Sequence, residues 1–190
     1  IDPHILKMNV LNLGYEGMFS GYNYVMELRK KYDCNMPWIL LFDPTASCNL
    51  HCKGCWAAEY GKTLNLTYEE MDKLVTEGEE LGIHWYMCTG GEPMCRKNDL
   101  LKLAAAHQSS VFHLFTNGTL IDEAFADDML SVGNFAPAIS VEGYGEETDM
   151  RRGKGTFKAV MKAMEILKRK RLLFGMSTCY HRKNVDVVGS

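Results

Sequence analysis

From residue 38 onward, short apolar runs alternate with segments of helical periodicity. The runs are 38–42, 84–89, 111–115, 135–141 and 174–180. The helical segments between them are 67–82, 99–107, 122–130 and 156–170. Strands that are continuously apolar and separated by helices are typical of a parallel sheet covered by helices. The sequence therefore predicts an α/β fold with about five parallel strands.

Composition narrows the class of protein. The 190 residues are 46% apolar and 24% charged, with a formal charge of −3, which does not favour nucleic-acid binding. No apolar run approaches the roughly 18 residues that span a bilayer, so we expect no transmembrane segment. Cysteines outside the motif below are scattered, which favours reduced thiols in the cytoplasm over a disulfide framework. Cys88 and Cys179 lie in apolar runs and are predicted to be core residues.

Three cysteines directly follow the first predicted strand. Cys48, Cys52 and Cys55 have the spacing C-x3-C-x2-C. A cubane iron–sulfur cluster normally takes four cysteine ligands, so three local thiolates leave one iron open to a non-protein ligand. The alternative is a zinc knuckle completed by His51 or a distant cysteine. The cluster is favoured because no second C-x2-C or H-x3-H half-site follows.

Polar and glycine residues stand at the ends of the later strands. They are Gly90-Gly91-Glu92, Thr116-Asn117-Gly118, Ser140-Val141-Glu142 and Tyr180-His181-Arg182. The carboxyl ends of parallel strands meet at one edge of a sheet, where ligands of such folds bind. Ordinary turn chemistry also explains glycine and asparagine in these loops, and it is sufficient for Asn117-Gly118.

The cysteine loop and the following Gly90-Gly91-Glu92-Pro93 resemble the radical S-adenosylmethionine (radical SAM) superfamily. The run Ser140–Gly143 is similar to the branch with peptide-modifying and cofactor-maturing members. Gly54 before the third cysteine departs from the usual aromatic residue and resembles some lipid-modifying members. The resemblance implies a partial (β/α)6 barrel over residues 38–190, without its sixth strand or any carboxyl-terminal auxiliary-cluster domain. Residues 1–37 are expected to form a helical or irregular cover.

The resemblance also implies two cofactors, a [4Fe–4S] cluster and SAM. Cys48, Cys52 and Cys55 would ligate three irons, and the fourth iron would chelate SAM. The SAM amino group would meet the loop Gly90, Gly91 and Glu92, whose glycines allow close backbone approach.

Further SAM contacts are implied at the later strand ends. Ser140 and Glu142 would face the ribose hydroxyls, and Arg152 would pair with the SAM carboxylate. Asn117 would touch the cofactor or the substrate.

The implied activity is reductive cleavage of SAM to a 5′-deoxyadenosyl radical that abstracts hydrogen from an unidentified peptide, lipid or small metabolite. The implied partner is a one-electron donor such as flavodoxin or ferredoxin. Residues 56–66 are either a lid or a simple connector. Candidates for a role in the reaction after the radical has formed are Tyr60, Cys95, Cys179 and His181. The alternative from another class is a non-enzymatic iron–sulfur or zinc protein for electron transfer or partner binding.

Overall fold

The computed structural model describes residues 1–61 and 63–188. Its centre is one five-stranded sheet, with strand order β1-β2-β3-β4-β5 and parallel pairing throughout. The strands are β1 Leu40–Phe42, β2 Trp85–Cys88, β3 Val111–Thr116, β4 Phe135–Ser140 and β5 Gly175–Ser177. The predicted α/β fold with five parallel strands is confirmed. Because every pair of neighbouring strands is parallel, all five carboxyl ends lie along one edge.

Seven α-helices accompany the sheet in the described residues. They are α1 Pro3–Asn9, α2 Gly21–Tyr32, α3 Tyr68–Glu80, α4 Lys97–Ala106, α5 Glu123–Val132, α6 Gly145–Arg152 and α7 Thr156–Arg169. A π-helical stretch, Val10–Ser20, joins α1 to α2, and Trp56–Tyr60 and Pro93–Arg96 form 3₁₀ turns. The four helices predicted after residue 38 correspond to α3, α4, α5 and α7. None of these helices is long and apolar enough to cross a lipid bilayer.

Helix α3 shows how local sequence places the core. Thr67 Oγ1 accepts a hydrogen bond from the Glu70 N–H, and the Glu70 carboxylate accepts one from the Thr67 N–H. This reciprocal capping box satisfies two of the amide groups left free at the start of a helix. The cap sets the phase of the helix, so that Met71 and Val75 are fully buried against the sheet.

The first helices contact residues that precede the strands. The Asn12 side-chain amide donates to the carbonyls of Gln108 and Ser110 at 2.8 and 3.1 Å, just before β3 begins. The Asp2 N–H donates to the Arg171 carbonyl at 2.8 Å, before β5. Ile5 of α1 is fully buried in the same hydrophobic core as the sheet. Residues 2–12 therefore lie along the amino-terminal edge, opposite the edge where the strands end.

Replacing Gly78 of α3 by alanine is expected to destabilise the fold by about 1–3 kcal/mol, the usual cost of overpacking a core. Its Cβ would lie 2.3 Å from the hydroxyl oxygen of buried Tyr86. That hydroxyl is fixed because it lies within 3 Å of the carbonyls of Val75 and Ile83. Urea unfolding measures the change. Gly14→Ala is the control, since its Cβ meets no atom within 4 Å and is expected to stabilise slightly. Equal effects at the two positions would contradict the packing argument.

Candidate active site

A cavity of about 510 Å³ opens at the carboxyl-terminal edge of the sheet. All but one of the site residues predicted from the sequence line it. They are Cys48, Cys52, Cys55, Gly90, Gly91, Glu92, Asn117, Ser140 and Arg152. The exception is Glu142. Small-molecule and cofactor sites commonly have volumes of about 300–1,000 Å³, so the cavity is large enough for a cofactor of the size of SAM.

The three motif cysteines are partly exposed at this cavity. Burial raises the pKa of the Cys48 thiol, and a hydrogen bond from the Leu50 N–H opposes this shift. Burial also raises the pKa of the Cys52 thiol, against the positive charges of Arg152 and Arg151. Because a cysteine binds metal as the thiolate, the two arginines favour the form that ligates.

The described residues contain no three His, Cys, Asp or Glu side chains that converge on one metal ion. A cubane cluster makes no such demand, because its thiolates bind different irons. Three thiolates on one loop are the donor set that an iron–sulfur cluster takes. Gly54 within this loop has a φ of +66°, a left-handed conformation that favours glycine and accounts for its departure from an aromatic residue.

The loop after β2 packs against the chain leading into the cysteines. The Gly91 N–H donates to the Thr45 carbonyl at 2.9 Å, and the Glu92 N–H donates to the Ser47 carbonyl at 2.7 Å. A Cβ on Gly91 would lie 2.3 Å from the Ser47 oxygen, and one on Gly90 would lie 2.7 Å from the Thr45 oxygen. The close approach therefore requires both glycines, and it places their backbone beside the cysteine loop.

Glu92 is 1% exposed and connects three segments. Its carboxylate accepts hydrogen bonds from the Thr116 hydroxyl at 2.6 Å and from the N–H groups of Asn117 and Met94 at 2.7 and 3.0 Å. Burial raises the pKa of this carboxyl, and the same hydrogen bonds oppose the shift. Thr116 was named only as a polar residue at a strand end and was not among the predicted site residues, although its position at the end of β3 was the available signal.

Asn117 joins the end of β3 to the cysteine loop. Its amide donates to the side-chain oxygen of Asn49 at 2.8 Å, next to Cys48, and its own oxygen accepts from the Thr119 N–H and hydroxyl. Asn117 is thus more than a turn residue, because its side chain fixes the loop that carries the cysteines.

Glu142 is fully buried, and its carboxylate faces Arg151 and Arg152 instead of the cavity. The ribose contact expected of Glu142 has no support from this orientation, whereas Ser140 lies on the cavity wall. Sequence reasoning also missed Arg151, which lines the cavity beside Arg152. In the sequence, only its position next to Arg152 indicated that Arg151 could belong to the site.

The candidates for a later step are dispersed. Cys88 is buried as predicted, but the prediction of a core position for Cys179 is wrong, because Cys179 is exposed and lines the cavity. Strand β5 ends at Ser177, and residues 177–179 line the cavity. His181 lines a separate, smaller cavity. Cys95 is exposed, and the side chain of Tyr60 lies outside the described residues.

The segment that follows the cysteines is anchored at its far end. The Ala46 N–H donates to the Leu64 carbonyl at 2.8 Å, and the Leu66 N–H donates to the Pro44 carbonyl at 3.2 Å. Trp56 lines both the main cavity and a neighbouring one of about 420 Å³. That residues 56–66 form either a lid or a simple connector stays a prediction.

Comparison with known proteins agrees with this geometry. The family model of the radical SAM superfamily matches residues 42–185. The Fe-coproporphyrin III synthase of Methanosarcina barkeri is 30% identical over 152 residues, which cover 77% of this chain and 38% of that protein. The crystal structure of anSMEcpe with bound AdoMet and Cp18Cys peptide superposes with a TM-score of 0.62 at 28% identity. That match covers 73% of this chain and 42% of anSMEcpe.

A further structure supports the fold alone. Streptococcus suis SuiB bound to S-adenosylmethionine matches with a TM-score of 0.73 at 15% identity, over 89% of this chain and 40% of SuiB. The chain spans less than half the length of the coproporphyrin synthase, of anSMEcpe and of SuiB.

The fold and the site define a parallel α/β protein whose strand ends carry a three-cysteine loop and a glycine-rich loop that line one cavity. The chain belongs to the radical SAM superfamily. Members of this superfamily use a [4Fe–4S] cluster and SAM, and the structure of anSMEcpe contains bound AdoMet, so both predicted cofactors are confirmed at the level of the family.

Replacing Gly91 by alanine is expected to separate the β2 loop from residues 46–47, since the Cβ would lie 2.3 and 2.5 Å from two backbone oxygens. We expect a loss of about 1–3 kcal/mol in the free energy of unfolding and less iron per chain after anaerobic reconstitution. Gly175→Ala in β5 is the control, because its Cβ meets no atom within 4 Å. A Gly91→Ala protein with full iron content and unchanged stability would refute the close-packing argument.

Proposed function

We propose that this chain forms the catalytic part of a radical SAM enzyme that cleaves SAM reductively. The observation that carries the proposal is that the three cysteines and the Gly-Gly-Glu loop after β2 line the same cavity. A three-thiolate loop leaves one iron of a cubane cluster open. The backbone of Gly90 and Gly91 and the side chain of Glu92 line the same cavity, and carbonyl and carboxylate oxygens suit an ammonium group. When bound, the reduced cluster and SAM supply a 5′-deoxyadenosyl radical, which abstracts a hydrogen atom from the substrate.

The residues of the chain bind and orient the cofactors. Cys48, Cys52 and Cys55 hold the cluster as thiolates. Gly90 and Gly91 present backbone groups to the SAM amino group, because no side chain shields them. Glu92 contributes negative charge at that point and fixes the ends of β2 and β3.

The remaining contacts come from later strand ends. Arg152 pairs with the SAM carboxylate, and Ser140 hydrogen-bonds a ribose hydroxyl. Asn117 holds the cysteine loop through Asn49 and borders the space for the cofactor or the substrate. Together these groups surround a cavity with charge and hydrogen-bonding capacity complementary to SAM.

The electron comes from a one-electron donor such as flavodoxin or ferredoxin, and the protein works in the cytoplasm. The cysteines of the described residues form no disulfide, which supports a reducing compartment. The substrate is a peptide, a lipid or a small metabolite. The names of the relatives support no single class, since one is a coproporphyrin synthase and another was crystallised with a peptide.

The test is anaerobic reconstitution of the full-length protein, assay of iron, sulfide and zinc, and addition of dithionite and SAM. We expect an iron–sulfur cluster and release of 5′-deoxyadenosine, detected by mass spectrometry. Cys52→Ser is expected to lose cluster and product, because one of the three thiolates is missing. Cys34→Ser is the matched control, since Cys34 is an exposed cysteine outside the motif.

Two results would contradict the proposal. Zinc without iron would indicate the non-enzymatic metal protein. An intact cluster in a full-length protein that never cleaves SAM would indicate electron transfer or partner binding.

A further inference from the structure

A buried carboxylate at the end of β4 holds two arginines from the last turn of α6. Glu142 Oε1 accepts hydrogen bonds from Arg151 Nη1 at 2.7 Å and from Arg152 Nε and Nη2 at 2.9 and 2.7 Å. The Glu142 side chain is fully buried, and those of Arg151 and Arg152 are 15% and 11% exposed. Charge-assisted bonds in such a poorly solvated place are strong and directional.

The other polar groups of Glu142 are also engaged. Its Oε2 accepts from the Cys179 N–H at 3.1 Å, and its N–H contacts the Thr148 hydroxyl at 3.1 Å. Its carbonyl accepts from the Asn184 side-chain amide at 2.8 Å. One residue therefore connects the end of β4 to α6, to the chain after β5 and to the segment that holds Asn184.

The same group reaches the cysteine loop through the backbone. The Lys53 N–H donates to the Arg151 carbonyl at 2.8 Å, and Lys53 directly follows Cys52. The two guanidinium groups of Arg151 and Arg152 and the carboxylate of Glu142 together carry one net positive charge. Both arginines line the cavity close to Cys52, so this charge lies beside the cysteine loop.

We infer that Glu142 is a positioning residue: its carboxylate holds Arg152 toward the cavity as an anion-binding group and keeps α6 joined to the cysteine loop through Arg151. The inference rests on the proposed function, in which the anion is the SAM carboxylate. It gives Glu142 a role that acts through the arginines, in place of the ribose contact expected from the sequence.

The test compares SAM affinity among variants of the full-length, cluster-loaded protein, by equilibrium dialysis with radiolabelled SAM. Glu142→Gln keeps the shape of the side chain but removes the charge that orients the guanidinium groups. We expect the Kd for SAM to rise about 10–100-fold with iron content unchanged, as is usual when a residue that orients a ligand-binding group is replaced.

A double variant distinguishes positioning from direct contact. If Glu142 acts through Arg152, the protein with Glu142→Gln and Arg152→Met binds SAM no more weakly than Arg152→Met alone. Additive losses would overturn the inference, because they would mean that the two residues contact SAM independently.

The midpoint potential of the cluster gives a readout that does not depend on SAM. Arg151→Met removes one cation near Cys52 while leaving Glu142 paired with Arg152. We expect the cluster to become harder to reduce, with its midpoint potential shifted to more negative values in an EPR-monitored titration. An unchanged midpoint would refute the placement of this charge beside the cluster.

Asp149→Asn in the same helix is the control for Glu142→Gln. Asp149 accepts from the N–H groups of Phe157 and Gly155, so its substitution neutralises a carboxylate and weakens the start of α7. We expect its Kd for SAM to match that of the wild type.

If Glu142→Gln fails to assemble a cluster, Glu142→Asp decides the question. It keeps the charge, but the shorter side chain cannot reach both arginines, so the Kd for SAM is again expected to rise. Wild-type affinity in either variant would overturn the inference. A wild-type protein that binds SAM without forming 5′-deoxyadenosine would contradict the proposed function and leave these affinity comparisons intact.

Discussion

The backbone of Gly90 and Gly91 packs directly against residues 45–47, and the arrangement of the site depends on this contact. Two backbone hydrogen bonds join the loops, and a methyl group at either glycine would meet a carbonyl oxygen. The contact connects the end of β2 to the chain that enters the cysteine motif. Without this contact, nothing would hold the loop that carries the cysteines against the Gly-Gly-Glu loop, and the two loops would not line the same cavity.

Two buried carboxylates extend this contact across the edge of the sheet. Glu92 fixes the start of the turn after β3, and Glu142 fixes α6 and the chain after β5. A buried carboxylate is costly unless it is paired or hydrogen-bonded, and both of these are. The positive charge near Cys52 comes from Arg151 and Arg152, which are paired with Glu142. The side chains that hold the loops therefore also set the electrostatic environment of the cysteines.

Much of the fold was predictable because it depends on local patterns. Apolar runs predicted the five strands, and helical periodicity from residue 67 predicted α3. The spacing of the cysteines predicted a loop whose three cysteines line one cavity. Helix α6 was missed because its sequence, GEETDMRR, has no apolar periodicity. The orientation of Glu142 depends on that helix, so the sequence could not show that this carboxylate turns away from the cavity. The later part of the predicted fifth strand was wrong for a similar reason, since Cys179 is held by Glu142 instead of by a neighbouring strand.

The two outer strands of the sheet have a consequence for solubility. Strands β1 and β5 each have three residues, and in the described sheet each pairs with one neighbour only. An unpaired strand edge can recruit another chain by backbone hydrogen bonding, and short edge strands are one means by which proteins limit this. Three residues offer too few hydrogen bonds to hold a foreign strand in register.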